Sequence, residues 1–423
     1  MIFNGILISV TIVLFCMSFY MMKFYKGDKI KKEHKLMITI AFVIFLIVTF
    51  FEVITRDIRI SIYLIIIGIL LFGLVIFIHE LGHFIFAKWA GVKVHEFAIG
   101  MGPTIFYFSK GETKYALRLF PIGGFCAMEG EDKQSDDECS FGKKPVWKRI
   151  CIVAAGAVMN FILGIILMLI LLSQAPRFST TVVDKFADGA VSSQVLHSND
   201  KILSIDGYPV WTAKDIYSAM TLANATADKN AEEISFDMKV ERDGRKLNLE
   251  SVPFKMKKGE NAERSMLVYD FTTVSCEKTF FTVINRSFVE SASTVKFVWV
   301  SLVEMIKGHI KLSDMAGPIG ITTTISSLAS QGLQESFGQA VNNIISFMAM
   351  ITINLGVINL LPFPALDGGR IVFLIIEAIR RKPINPKYEG YIHTAGMVLL
   401  MMLMLFLAFS DTFRIFTGKG IGG

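Results

Sequence analysis

The stretch LLFGLVIFIHELGHFIFAKWAG, residues 70–91, is apolar enough to sit in lipid yet carries His79, Glu80 and His83 in its middle. An ionisable side chain at the centre of a bilayer costs about 2.5 kcal/mol or more, so three in one apolar run imply that they are used. Two histidines four apart on a helix lie about 40° apart around its axis, and both rings can reach one metal ion from one face. The H-E-x-x-H pattern supplies two zinc ligands, His79 and His83, and a general base, Glu80, for a water made acidic by the metal.

Working outward, the whole chain is a membrane protein by composition: 52% of its 423 residues are hydrophobic and 36 are Phe. A bilayer crossing needs about 20 apolar residues. Runs near that length occur at 2–22, 37–55, 61–85, 150–172, 340–361 and 391–410, which predicts a polytopic α-helical membrane protein with about six transmembrane helices. The first run lacks the charged start and small-residue cleavage site of a secretory signal and reads as an anchor.

Lysine and arginine placement sets the expected orientation. Lys23, Lys26, Lys29, Lys31, Lys32 and Lys35 put the first loop in the cytoplasm. The loop between the third and fourth runs carries Lys93, Lys110, Lys114, Lys143, Lys144, Lys148 and Arg149, and the last basic cluster is Arg380, Arg381, Lys382 and Lys387. The long 173–339 segment then faces outward; Arg56 and Arg59 run against the scheme. The net charge of +6 follows from these loops and suits anionic lipid headgroups of the bilayer, and no nucleic-acid motif is visible. The five cysteines show no C-x-x-C spacing and suggest neither a disulfide framework nor a cysteine metal site.

Within the outward segment, residues 178–257 read as a small α+β domain. TTVVDKF (180–186) and NDKILSIDGYPV (199–210) predict strands, AKDIYSAMTLA (213–223) a helix, and EISFDMKV (233–240) with RKLNLESV (245–252) a hairpin turning at Asp243-Gly244. This order resembles a PDZ domain, an extracytoplasmic insertion with a groove for an extended peptide ligand; it departs from that family at 195–200, VLHSND, where a Gly-Leu pair is usual. Residues 280–310 alternate at helical spacing and predict an amphipathic helix on the outer membrane face.

A catalytic zinc takes a third protein ligand and keeps one position open. Asp367 is the leading candidate, in NLLPFPALDGG (359–369), where Pro362, Pro364, Gly368 and Gly369 are expected to interrupt a membrane helix beside a water-filled cavity. Glu377 and His393 are weaker candidates.

H79-E-L-G-H83 in one span and N359-L-L-P-F-P-A-L-D367-G-G in another, with a PDZ-like domain between them, resemble the site-2 protease family of intramembrane zinc metalloproteases. AAGAVMNFILG (154–164) is similar to a further segment of that family, with Gly156 and Asn160 in place and Ala157 where proline is common. The resemblance implies that His79, His83 and Asp367 hold Zn2+, that Glu80 activates water, and that Asn359 positions the scissile peptide or stabilises its oxyanion. It also implies that FAIGMGPTIFYFSKGETKYALRLFPIGGF (97–125) is a membrane-associated β-hairpin presenting a strand edge to an opened substrate helix.

The expected organisation is two additional N-terminal transmembrane helices (1–57), the first half of a protease core (58–177), the PDZ-like domain (178–257), an amphipathic linker region (258–339) and the second half of the core (340–423). The implied substrates are single-span membrane proteins, such as pre-clipped anti-sigma factors or remnant signal peptides, cut in regulated intramembrane proteolysis at the bacterial cytoplasmic membrane. A membrane metal-ion transporter using His79, His83 and Asp367 is the rival reading, although a carrier needs no general base and the chain lacks paired halves.

Overall fold

The computed structural model describes residues 58–131, 135–226, 231–258, 265–309, 315 and 317–417. The expected spans at 2–22 and 37–55 lie outside the described residues. In chain order the elements are α1 (Ile58–Ala90), β1 (Val94–Lys110), β2 (Thr113–Met128), α2 (Val146–Gln174), β3 (Arg177–Phe186), β4 (Lys201–Ile205) and β5 (Tyr208–Pro209). There follow α3 (Ala213–Thr226), β6 (Glu233–Arg242), β7 (Arg245–Lys258), β8 (Ser265–Leu267), β9 (Phe271–Glu277) and α4 (Phe280–Ile306). The chain closes with α5 (Pro318–Glu335), α6 (Phe337–Asn359), α7 (Asp367–Arg380) and α8 (Pro386–Thr417).

Among the described residues, four helices are long and apolar enough to cross a membrane: Ile67–Ala90, Val146–Gln174, Phe337–Asn359 and Lys387–Arg414. They fall on the last four apolar runs of the sequence, each with its ends displaced by a few residues. The hydrogen-bonded ladder continues a helix past its apolar stretch until a cap or breaker stops it. Gly91, at φ 75°, follows the last residue of α1.

The chain divides into two compact units, one made of residues up to Leu163 and from Met315, the other of Gly164 to Asp314. In the first, β1 and β2 form an antiparallel hairpin whose register slips repeatedly through Gly100, Gly102 and Gly123, all at positive φ. Its tip exposes Ile105, Phe106, Tyr107 and Phe108, an apolar surface of the kind that suits lipid. The root is anchored in a core where Ala87 and Ala90 of α1 meet Val94 and Phe97 of β1 and Ile152 of α2. Helix α5 packs on α6, and also touches α1 and α8.

The second unit holds a seven-stranded sheet in the order β8-β7-β6-β4-β3-β9, with β5 paired to β4. Its core includes Leu196, Ile202, Met220, Phe236, Val252 and Phe254, buried between the sheet and α3. β6 and β7 meet at Asp243-Gly244, both at positive φ (51° and 74°), with Arg242 facing Arg245 across the turn. This is the two-residue hairpin that Asp-Gly specifies. β9, beyond residue 257, adds an edge strand against β3.

Candidate metal centre

Three stretches of chain in the first unit build the centre. α1 places His79 and His83 one turn apart on one face, with ring centroids 4.8 Å apart and nearly perpendicular. α2 crosses close against their Nε2 atoms because position 156 is glycine: a Cβ there would lie 2.8 Å from His79 Nε2 and would collide with His83 Nε2. α6 stops at Asn359, immediately before a turn that begins at Leu360, and α7 starts at Asp367.

The break differs in one respect from the sequence expectation. Pro362 and Pro364 lie in it, and Ala365 takes up a left-handed conformation at φ 77°, but Gly368 and Gly369 sit in the first turn of α7 rather than interrupting a helix. A Cβ on Gly368 would strike the carbonyls of Leu360 and Leu361. The glycine lets the incoming loop fold tightly over the helix start, which holds Asp367 against the histidines.

The three expected ligands converge. His79 Nε2 and His83 Nε2 are 3.2 Å apart, and Asp367 Oδ2 is 3.3 Å from the first and 3.5 Å from the second. A regular tetrahedron with the ~2.0–2.1 Å bonds of zinc has ligand-to-ligand edges of about 3.3 Å, so these atoms match one face and leave the fourth vertex free. Asp367 Oδ2 is buried and makes no hydrogen bond among the described residues. A desolvated carboxylate oxygen facing two ring nitrogens fits a divalent cation.

The other candidates are engaged elsewhere. Glu377 receives both terminal nitrogens of Arg149, at 2.5 and 3.1 Å. His393 Nδ1 accepts the Ala365 backbone N–H at 2.9 Å, which ties α8 to the loop before Asp367. Glu80 is half-buried beside Gly124 of β2. Asn359 Nδ2 lies 3.4 Å from His79 Nε2.

Sequence reasoning assigned no role to the partners behind the histidines. His83 Nδ1 donates to the Ile152 carbonyl at 2.9 Å, and His79 Nδ1 lies 3.1 Å from Asn160 Nδ2. The available signal was spacing: Gly156 and Asn160 are four apart, on one face of α2. Arg370 also pairs with Glu131, which follows the hairpin.

An apolar helix carrying two imidazoles that meet a carboxylate from a broken helix, with a glutamate next to one imidazole, defines a membrane-embedded metallohydrolase. The profile of peptidase family M50 matches residues 67–403. The chain is similar to the Regulator of sigma-W protease RasP of Bacillus subtilis strain 168, with 31% identity over 432 residues covering 82% of this chain and 98% of that protein. It is also similar to Zinc metalloprotease RasP of Bacillus licheniformis, with 31% identity and the same coverage. The chain belongs to peptidase family M50, the site-2 protease family of intramembrane zinc metalloproteases. It is a membrane zinc metalloendopeptidase, and Zn2+ is its cofactor.

Proposed function

We propose that His79, His83 and Asp367 hold the catalytic zinc, that Glu80 is the general base and that Asn359 positions the scissile peptide. The observation that carries this reading is the set of three ligand atoms 3.2–3.5 Å apart. Bound there, zinc supplies the Lewis acidity that brings ionisation of a water toward neutral pH. Glu80 takes the proton of the attacking water and delivers it to the leaving amine. The Asn359 amide donates to the carbonyl oxygen as negative charge develops on it.

The substrates are transmembrane segments of single-span proteins, such as pre-clipped anti-sigma factors or remnant signal peptides, and the enzyme acts in regulated intramembrane proteolysis as a multi-pass protein of the bacterial cytoplasmic membrane. A transmembrane helix has every carbonyl tied up in its own hydrogen bonds, so it must open before attack. The β1–β2 hairpin, with its apolar tip, suits the task of holding the opened segment by strand addition. The PDZ-like domain, 178–257, faces outward, holds back proteins whose ectodomains are intact, and is the place for a peptide ligand. Residues 58–177 and 340–423 are the halves of the protease core, and 258–339 links them. Membership of a peptidase family, together with Glu80 beside the ligands, favours hydrolysis over metal transport.

The deciding experiment is Glu80→Gln in purified full-length protein. The variant should retain its zinc and lose cleavage of a membrane-helix reporter. Normal cutting by the variant, or no cutting by the wild type, overturns the proposal.

A further inference from the structure

Asn160 is wholly buried in α2, and its side chain meets His79 at Nδ1, while the ring's other nitrogen, Nε2, faces Asp367. Its Nδ2 is 3.1 Å from His79 Nδ1, while its Oδ1 has no hydrogen-bond partner among the described residues. The residue is held from a second side, because Thr352 Oγ1 of α6 donates to its backbone carbonyl at 3.3 Å. A fully buried amide with half its hydrogen-bonding capacity unused calls for a physical reason.

The two histidines differ in how their proton position is set. The Ile152 carbonyl can only accept, so His83 carries its proton on Nδ1 and turns a lone pair on Nε2 toward the cluster. An amide offers a donor at one end and an acceptor at the other, with the same shape either way round. With Nδ2 toward His79, the amide donates to Nδ1 and the ring proton sits on Nε2, facing Asp367. With Oδ1 toward His79, the amide accepts from Nδ1–H and Nε2 becomes a free lone pair. Only the second arrangement allows Nε2 to bind a metal.

We infer that Asn160 is a positioning residue for zinc binding: its amide turns Oδ1 to His79 Nδ1–H, fixing the tautomer that presents Nε2 to the metal. This rests on the proposal that His79, His83 and Asp367 are the zinc ligands. Asn160 touches neither substrate nor metal and acts through His79 alone. Turned this way, Oδ1 gains the His79 Nδ1–H as its donor and Nδ2 takes the position that Oδ1 now occupies.

The test measures zinc affinity of full-length protein in detergent, by competition with a chromophoric chelator. Asn160→Ala removes the acceptor and should weaken zinc binding about 10–100-fold, the range found for loss of outer-shell partners. Asn160→Asp restores an acceptor of the same size and should bind zinc within a few-fold of wild type. Wild-type affinity in Asn160→Ala, or equal loss in both variants, overturns the inference. Should Asn160→Ala fail to fold, ring-nitrogen NMR of the zinc-loaded wild type needs no variant. A slowly exchanging proton on His79 Nδ1 is expected, and a freely exchanging one overturns the inference. Failure of the underlying zinc assignment reads differently: His79→Ala and His83→Ala would both retain full zinc affinity.

Discussion

Asp367 Oδ2 stands 3.3 Å from His79 Nε2, so the first residue of α7 brings a carboxylate against an imidazole of α1. The contact depends on the break that holds Pro362 and Pro364, which cannot continue a helix, and on Gly368, which lets the next begin directly beneath the loop.

Asp367→Ala should therefore strip zinc from the purified protein, because it removes the proposed anionic ligand and leaves two imidazoles. Metal content by atomic absorption is the check. A variant that still carries its full zinc would move the third ligand elsewhere.

Glu377→Ala makes a contrasting prediction. Arg149 and Glu377 have side-chain exposures of 10% and 16%, and breaking a buried pair by deleting one partner costs about 3–5 kcal/mol. Thermal stability in detergent should fall markedly while zinc stoichiometry stays at the wild-type level. Loss of zinc at unchanged stability would instead make Glu377 part of the metal centre.

Gly156→Ala places a methyl group against both imidazoles. Overpacking of this kind costs about 1–3 kcal/mol, equivalent to roughly 5–150-fold in affinity. The expected result is weakened zinc binding and slower cleavage, with the secondary structure retained by circular dichroism. Unchanged affinity would show that α2 can draw back from the histidines.

In the second unit, burial pushes the Asp200 carboxyl up, but hydrogen bonds from Arg242 and from the His197 N–H more than offset this and hold it below the usual aspartate value. Arg242 donates to both carboxylate oxygens at 2.7 Å. A depressed folded value means that the unfolded chain binds more protons in acid. The contribution of the pair is complete above the ordinary value of about 3.9 and is lost as pH falls through the lower folded value. Asp200→Asn should destabilise this unit at pH 7 by about 1.5–3 kcal/mol and flatten its acid dependence. Hydrogen exchange of β4 and β6 amides against pH reads both effects. A variant with an unaltered acid profile would assign the acid dependence to another carboxylate.

Much of this protein was legible because its signals are local. The Asp243-Gly244 turn needs positive φ at two adjacent residues, and few dipeptides accept it, so the hairpin could be placed from the sequence. The last four apolar runs reappear as helices because a chain in lipid must satisfy its own backbone groups. The Gly368-Gly369 pair misled for the same reason that glycine usually informs. Its freedom can break a helix or admit a close contact, and only the neighbouring Leu360 and Leu361 carbonyls decide which.

The sequence by itself determined that the chain belongs in a membrane and that His79, Glu80 and His83 share one helix, since composition and a 3.6-residue period are properties of a single stretch. The sequence ranked Asp367 above Glu377 and His393 as the third group; the tertiary structure brings its carboxylate to the imidazoles and alone decided that Asn160 and the Ile152 carbonyl meet their Nδ1 atoms. Those relationships join segments far apart in the chain. Packing brings them together, and no local propensity encodes which amide or backbone carbonyl arrives.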